Sequence, residues 1–114
     1  MNTYEARSRM SEIGHRAIDI INRLRKGDSA SFEDRSRLRS FAVESRELLT
    51  EAGFPGEAVW RGLTRASMGV DTSLSSADPY FWQDVLDDLG GGTTTLDDLI
   101  APHFNSGADF TIVG

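Results

Sequence analysis

Apolar residues recur at alternating spacings of four and three from Ala6 through Met10, Ile13, Ala17 and Ile20 to Leu24. That period places all six on one seam of an α-helix and excludes a strand, whose side chains alternate with period two. Glu5–Arg9, Glu12–Arg16 and Asp19–Arg23 repeat every seven residues, acid before base at i,i+4, the favourable order on a helix. The pattern predicts a helix over 3–26. Ile18 and Ile21 widen its apolar surface, so it is expected to contact more than one neighbour.

A helix with an apolar seam needs other helices to cover it. Gly27 ends the first one, and Ser31 followed by Asp34 has the spacing of a capping box, with Asp in place of Glu or Gln. A second helix is expected over 32–52, carrying Leu38, Phe41, Ala42, Leu48, Leu49 and Ala52, with Gly53 in a left-handed position after it. A third is expected over 55–68, with Val59, Leu63 and Ala66 on one face. Residues 70–77 read as a polar connector. Asp78 and Pro79 read as N-cap and first residue of a fourth helix over 79–89, with Phe81, Trp82, Val85, Leu86 and Leu89 as its apolar stripe. Gly90-Gly91-Gly92 reads as a flexible break. Thr95, with Asp98 three residues on, reads as the cap of a short fifth helix over 96–101, limited by Pro102. The tail 103–114 is expected to be irregular. The fold class is therefore all-α: one domain, a small bundle of four to five helices built on a long N-terminal helical hairpin.

At 114 residues such a domain buries enough surface to fold without disulfides or metal, and it contains no Cys. Thiol chemistry and Cys-based metal sites are excluded. No apolar run approaches membrane-span length and the N-terminus has no apolar signal-peptide stretch, so a cytoplasmic protein is expected. Charge is split along the chain. All 12 basic residues, 11 of them Arg, lie between Arg7 and Arg65. The last 49 residues carry eight Asp and no Lys or Arg. The stretch 1–70 is nearly balanced, with 12 basic and ten acidic groups, whereas 71–114 has a net charge of −8.

The residues offer little catalytic chemistry. Glu12, His15 and Asp19 share a helix face, but both acids have Arg at i+4, so a solvent-exposed His15 is expected rather than a metal site. His103 reads as a tail residue. Asp84, Asp87 and Asp88, with Asp97 and Asp98 nearby, lack the oxygen spacing of a calcium loop. Gly90 to Thr95 lacks the Lys of a phosphate-binding P-loop. No Gly-x-Ser-x-Gly occurs. The expectation is a non-enzymatic protein without metal or cofactor.

The stretch 48–65 resembles the helix-turn-helix pattern of DNA-binding regulators. Gly53 would open the turn, Phe54 would anchor it, and Val59 and Leu63 would pack the second helix. The resemblance implies that Trp60, Arg61, Thr64 and Arg65 face the major groove. Glu57 and the acidic second half oppose contact with phosphate.

The leading expectation is a protein-binding module, a monomer or homodimer, that docks on a basic surface through Tyr80, Asp84, Asp87, Asp88, Asp97 and Asp98. Small acidic helical proteins of this kind include phage inhibitors of host defence and immunity proteins that neutralise nucleases. The alternatives are the DNA-binding regulator and a structural subunit of a larger assembly. The acids could equally be neutralised within the chain by Arg35, Arg39 and Arg65.

Overall fold

The computed structural model describes residues 2–72 and 78–113, with side chains as far as Ala101. It is all-α. Among the described residues there are four α-helices: α1 Thr3–Arg25, α2 Phe32–Ala52, α3 Glu57–Asp71 and α4 Phe81–Val113, with a short 3-10 turn, Phe54–Gly56, before α3.

The helices form an up-down-up-down bundle in which each packs against the next and α4 closes on α1. Side-chain pairs fix the antiparallel register. Arg9 meets Glu44 and Arg23 meets Asp34 across α1 and α2. Arg39 meets Asp71 across α2 and α3, Arg65 meets Asp88 across α3 and α4, and His15 meets Asp97 across α4 and α1.

The seam of α1 is buried along its whole length, and Ile21 joins it, so α1 does contact several neighbours. Leu38, Phe41 and Leu48 of α2, Val59, Leu63 and Val70 of α3, and Phe81, Val85, Leu89 and Leu96 of α4 complete one continuous core. The capping box at the start of α2 is present: the Ser31 hydroxyl accepts from Asp34 N–H, and the Asp34 carboxylate accepts from Ser31 N–H. Gly53 has positive φ as its place after α2 requires.

Two of the seven-residue charge repeats are not used as pairs along α1. Arg9 donates two hydrogen bonds to Glu44, at 2.6 and 3.0 Å, and Arg23 donates two to Asp34. Glu5 instead accepts from the Asn2 amide at the helix start. A bidentate guanidinium–carboxylate pair between helices outcompetes an exposed i,i+4 pair, which contributes only a few tenths of a kcal/mol. Glu12–Arg16 forms as expected, and Glu33 and Arg37 make a further i,i+4 pair on α2.

The largest departure is at the glycines. The expected helices over 79–89 and 96–101 are one helix, α4, which runs through Gly90-Gly91-Gly92 and on through the stretch expected to be an irregular tail. Each helical glycine disfavours the helix by about 1 kcal/mol relative to Ala. Packing overrides that local preference. Val85, Leu89, Leu96 and Ile100 are all buried, so the helix gains by continuing. A Cβ at Gly92 would lie 2.7 Å from Val59 Cγ2 and 2.9 Å from Val59 N, so only glycine lets α4 approach α3 this closely. Thr95 is not a cap: its hydroxyl donates back to Gly91 O inside the helix.

Smaller shifts have local causes. The Asp78 side chain accepts from Tyr80 N–H and its carbonyl from Phe81 N–H. Asp78-Pro79-Tyr80 is therefore a turn, and α4 begins at Phe81. α3 continues past 68, burying Gly69 and Val70, so the connector expected at 70–77 starts only at Thr72. Its remainder, 73–77, and the side chain of His103 lie outside the described residues.

Candidate functional site

One face of α4 lies on the core, and its two edges carry acids that other helices engage. On the α3 edge, Asp88 lies 3.5 Å from the Arg65 guanidinium. Arg65 also sits over the Phe81 ring, 5.7 Å from its centroid. On the α1 edge, Asp97 accepts from the Ser11 hydroxyl and lies 2.8 Å from His15 Nε2. Partial burial works against the ionised form of Asp97, but the hydrogen bonds from Ser11 and His15 outweigh it and hold its pKa below the usual value.

The outward face of α4 differs. Asp84, Asp87, Gly91, Thr94 and Asp98 are exposed and fall on the side opposite the core. Asp87 accepts a hydrogen bond from the Gln83 amide. Among the described residues, neither Asp84, Asp87 nor Asp98 forms an ion pair. Tyr80, 70% exposed, stands in the turn just before this face. The six candidates thus divide: Tyr80, Asp84, Asp87 and Asp98 are exposed and have no ion pair among the described residues, whereas Asp88 and Asp97 contact neighbouring helices. The sequence carries a signal for this division. The buried spacing Val85, Leu89, Gly92, Leu96, Ile100 runs across the glycines, and on that wheel Asp88 and Asp97 fall beside the stripe.

Intramolecular neutralisation is partial. Arg39 reaches Asp71 at 3.1 Å and Arg65 reaches Asp88. Arg35 forms no ion pair among the described residues.

The four residues suggested by the helix-turn-helix resemblance are dispersed in role. Trp60 is half-buried beneath Arg46, whose guanidinium carbon is 5.9 Å from the ring centroid. Arg65 is engaged by Asp88. Thr64 is half-buried, and Arg61 is exposed. Phe54 does not anchor the turn: it is 82% exposed. Gly56 is the buried residue there, because a Cβ at that position would lie 2.9 Å from Met10 Cε.

A cleft of about 270 Å³ opens where the start of α3 faces the middle of α4. Phe54, Glu57 and Arg61 line it from one side, and Asp87, Asp88 and Gly91 from the other.

Gly90 to Thr95 is helical, so its backbone is not a phosphate-binding loop. Glu12 pairs with Arg9 and Arg16, and His15 turns to Asp97. Among the described residues no group of three His, Asp or Glu side chains is placed to hold a metal ion. No described helix is long and apolar enough to cross a membrane. Comparison with family models, curated proteins and solved structures finds no match for this chain.

Proposed function

We propose that this chain is a non-enzymatic protein-binding module that docks through the outward face of α4, with Tyr80, Asp84, Asp87 and Asp98 meeting a basic surface of a partner protein. One observation carries the reading. The carboxylates at the edges of α4 are engaged inside the bundle, while those at the centre of its outward face have no ion pair among the described residues. Unpaired like charges on one face are unfavourable for the isolated fold and favourable for association with an opposite potential. Tyr80 adds an exposed aromatic of the kind enriched at interfaces. A small acidic inhibitor or regulator of a nucleic-acid-binding protein in the cytoplasm fits this surface. Use of α3 as a DNA-reading helix is disfavoured by Asp88 on Arg65 and by the acids of α4 beside it.

The test is affinity capture with the wild-type chain and with the triple variant Asp84→Lys, Asp87→Lys, Asp98→Lys, followed by binding measurements on the purified partner. Loss of the captured partner with an unchanged melting temperature supports the reading. Retention of every captured protein by the triple variant overturns it.

A further inference from the structure

The cleft between α3 and α4 contains three features that the fold does not require. Phe54 lines it as a large aromatic that is 82% exposed. Gly91 lines it in the interior of a helix, where glycine is unfavourable. Unlike Gly92, Gly91 has no packing reason to be glycine: a Cβ there would meet nothing within 4 Å. Third, the charges do not balance. Glu57, Asp87 and Asp88 face Arg61 alone among the cleft residues, and only Asp88 has an ion pair, to Arg65 outside the cleft.

We infer that this cleft receives an arginine side chain presented by the partner protein. The inference rests on the reading of α4 as a docking face and adds what that face selects. A guanidinium can lie flat on an aromatic ring while its donors meet a carboxylate in a bidentate fashion. Phe54 and Asp87 supply that ring and that carboxylate on opposite sides of the cleft. Gly91 adds no side chain to the cleft wall. A lysine ammonium gains less here, because it is a compact, strongly hydrated charge without a planar face. Arg61 works against the guest, so its removal strengthens binding. This separates the inference from nucleic-acid binding, in which Arg61 would contribute attraction.

The experiment titrates fluorescently labelled octa-arginine into the full-length chain at low ionic strength and follows anisotropy, with octa-lysine and a DNA duplex as comparison probes. Octa-arginine is expected to bind more tightly than octa-lysine, and the duplex not to bind. Gly91→Leu places a side chain at the cleft wall, in a position where a Cβ meets nothing, and is expected not to lower the melting temperature. It is expected to weaken octa-arginine binding about tenfold, equivalent to about 1.4 kcal/mol. Arg61→Ala is expected to tighten binding. The inference is overturned if Gly91→Leu binds as the wild type does, if Arg61→Ala weakens binding, or if octa-lysine binds equally well. Asp84→Lys combined with Asp98→Lys separates the two levels. If that variant loses binding while Gly91→Leu keeps it, the docking face stands and the cleft does not. If neither variant changes binding, both readings fail.

Discussion

Asp97 of α4 lies 2.8 Å from the imidazole of His15 on α1, across 82 residues of chain. Ser11, one turn earlier on α1, donates to the other oxygen of the same carboxylate. This pair of contacts joins the last helix to the first and closes the bundle. Asp97→Asn keeps the shape but removes the charge, and it is expected to destabilise the chain by about 1 kcal/mol. Urea denaturation measures this. Hydrogen exchange is expected to rise first in α4, and equal exchange in wild type and variant would argue against a closing role.

Adjacent glycines are expected to respond with opposite sign. Gly91→Ala adds a Cβ to open space and recovers helix propensity, raising stability by about 1 kcal/mol. In a domain of this size that is a melting temperature higher by about 4 °C. Gly92→Ala drives a Cβ into Val59, including its backbone nitrogen, and is expected to destabilise by about 1–3 kcal/mol. Thermal melts followed by circular dichroism distinguish this from a flexible linker, in which both substitutions would be nearly neutral.

Gly14 of α1 faces Thr93 of α4. A Cβ at Gly14 would collide with the Thr93 methyl group, so Gly14→Ala is expected to be strongly destabilising. Thr93→Ser removes that methyl and retains the hydroxyl that donates to Leu89 O. The double variant is therefore expected to be more stable than Gly14→Ala alone, and a double-mutant cycle on chemical denaturation quantifies the coupling.

Acid is expected to loosen the hairpin. The Arg23 guanidinium is the main cause that holds Asp34 below its ordinary pKa of 3.8, and Arg9 does the same for Glu44, ordinarily 4.5. A carboxyl with a lower pKa folded than unfolded contributes its full stabilisation above the unfolded value. That contribution is lost as pH falls through the folded value. Unfolding free energy is thus flat with respect to these two groups at neutral pH and declines below about pH 4.5. In Glu44→Gln the decline is expected to be shallower, as equilibrium denaturation across pH 2–7 would reveal; an unchanged slope would contradict the assignment.

The sequence was informative wherever structure follows from spacing. The α1 seam, the Ser31–Asp34 capping box and the positive φ at Gly53 all arise from interactions within a few residues. The acidic site was legible only in part. Composition identified the carboxylates of 71–114, but their division into engaged and free ones depends on which helices flank α4. Phe54 is exposed and Gly56 buried in the turn, and Gly56 lies against Met10, a neighbour 44 residues upstream of Phe54 that local sequence does not reveal.

By itself the sequence determined an all-α chain, its N-terminal hairpin and the concentration of negative charge in a second half that carries no Lys or Arg. Tertiary structure alone decided that Gly90-Gly91-Gly92 continues a helix, that Arg9 and Arg23 pair across the hairpin, and that Asp88 and Asp97 contact Arg65, Ser11 and His15 of neighbouring helices. The physical reason is one of scale. Local helix preferences amount to about 1 kcal/mol per glycine, whereas burying Leu96 or Ile100 stabilises by about 1.5–3 kcal/mol each. That larger contribution exists only once the rest of the bundle is in place to cover them.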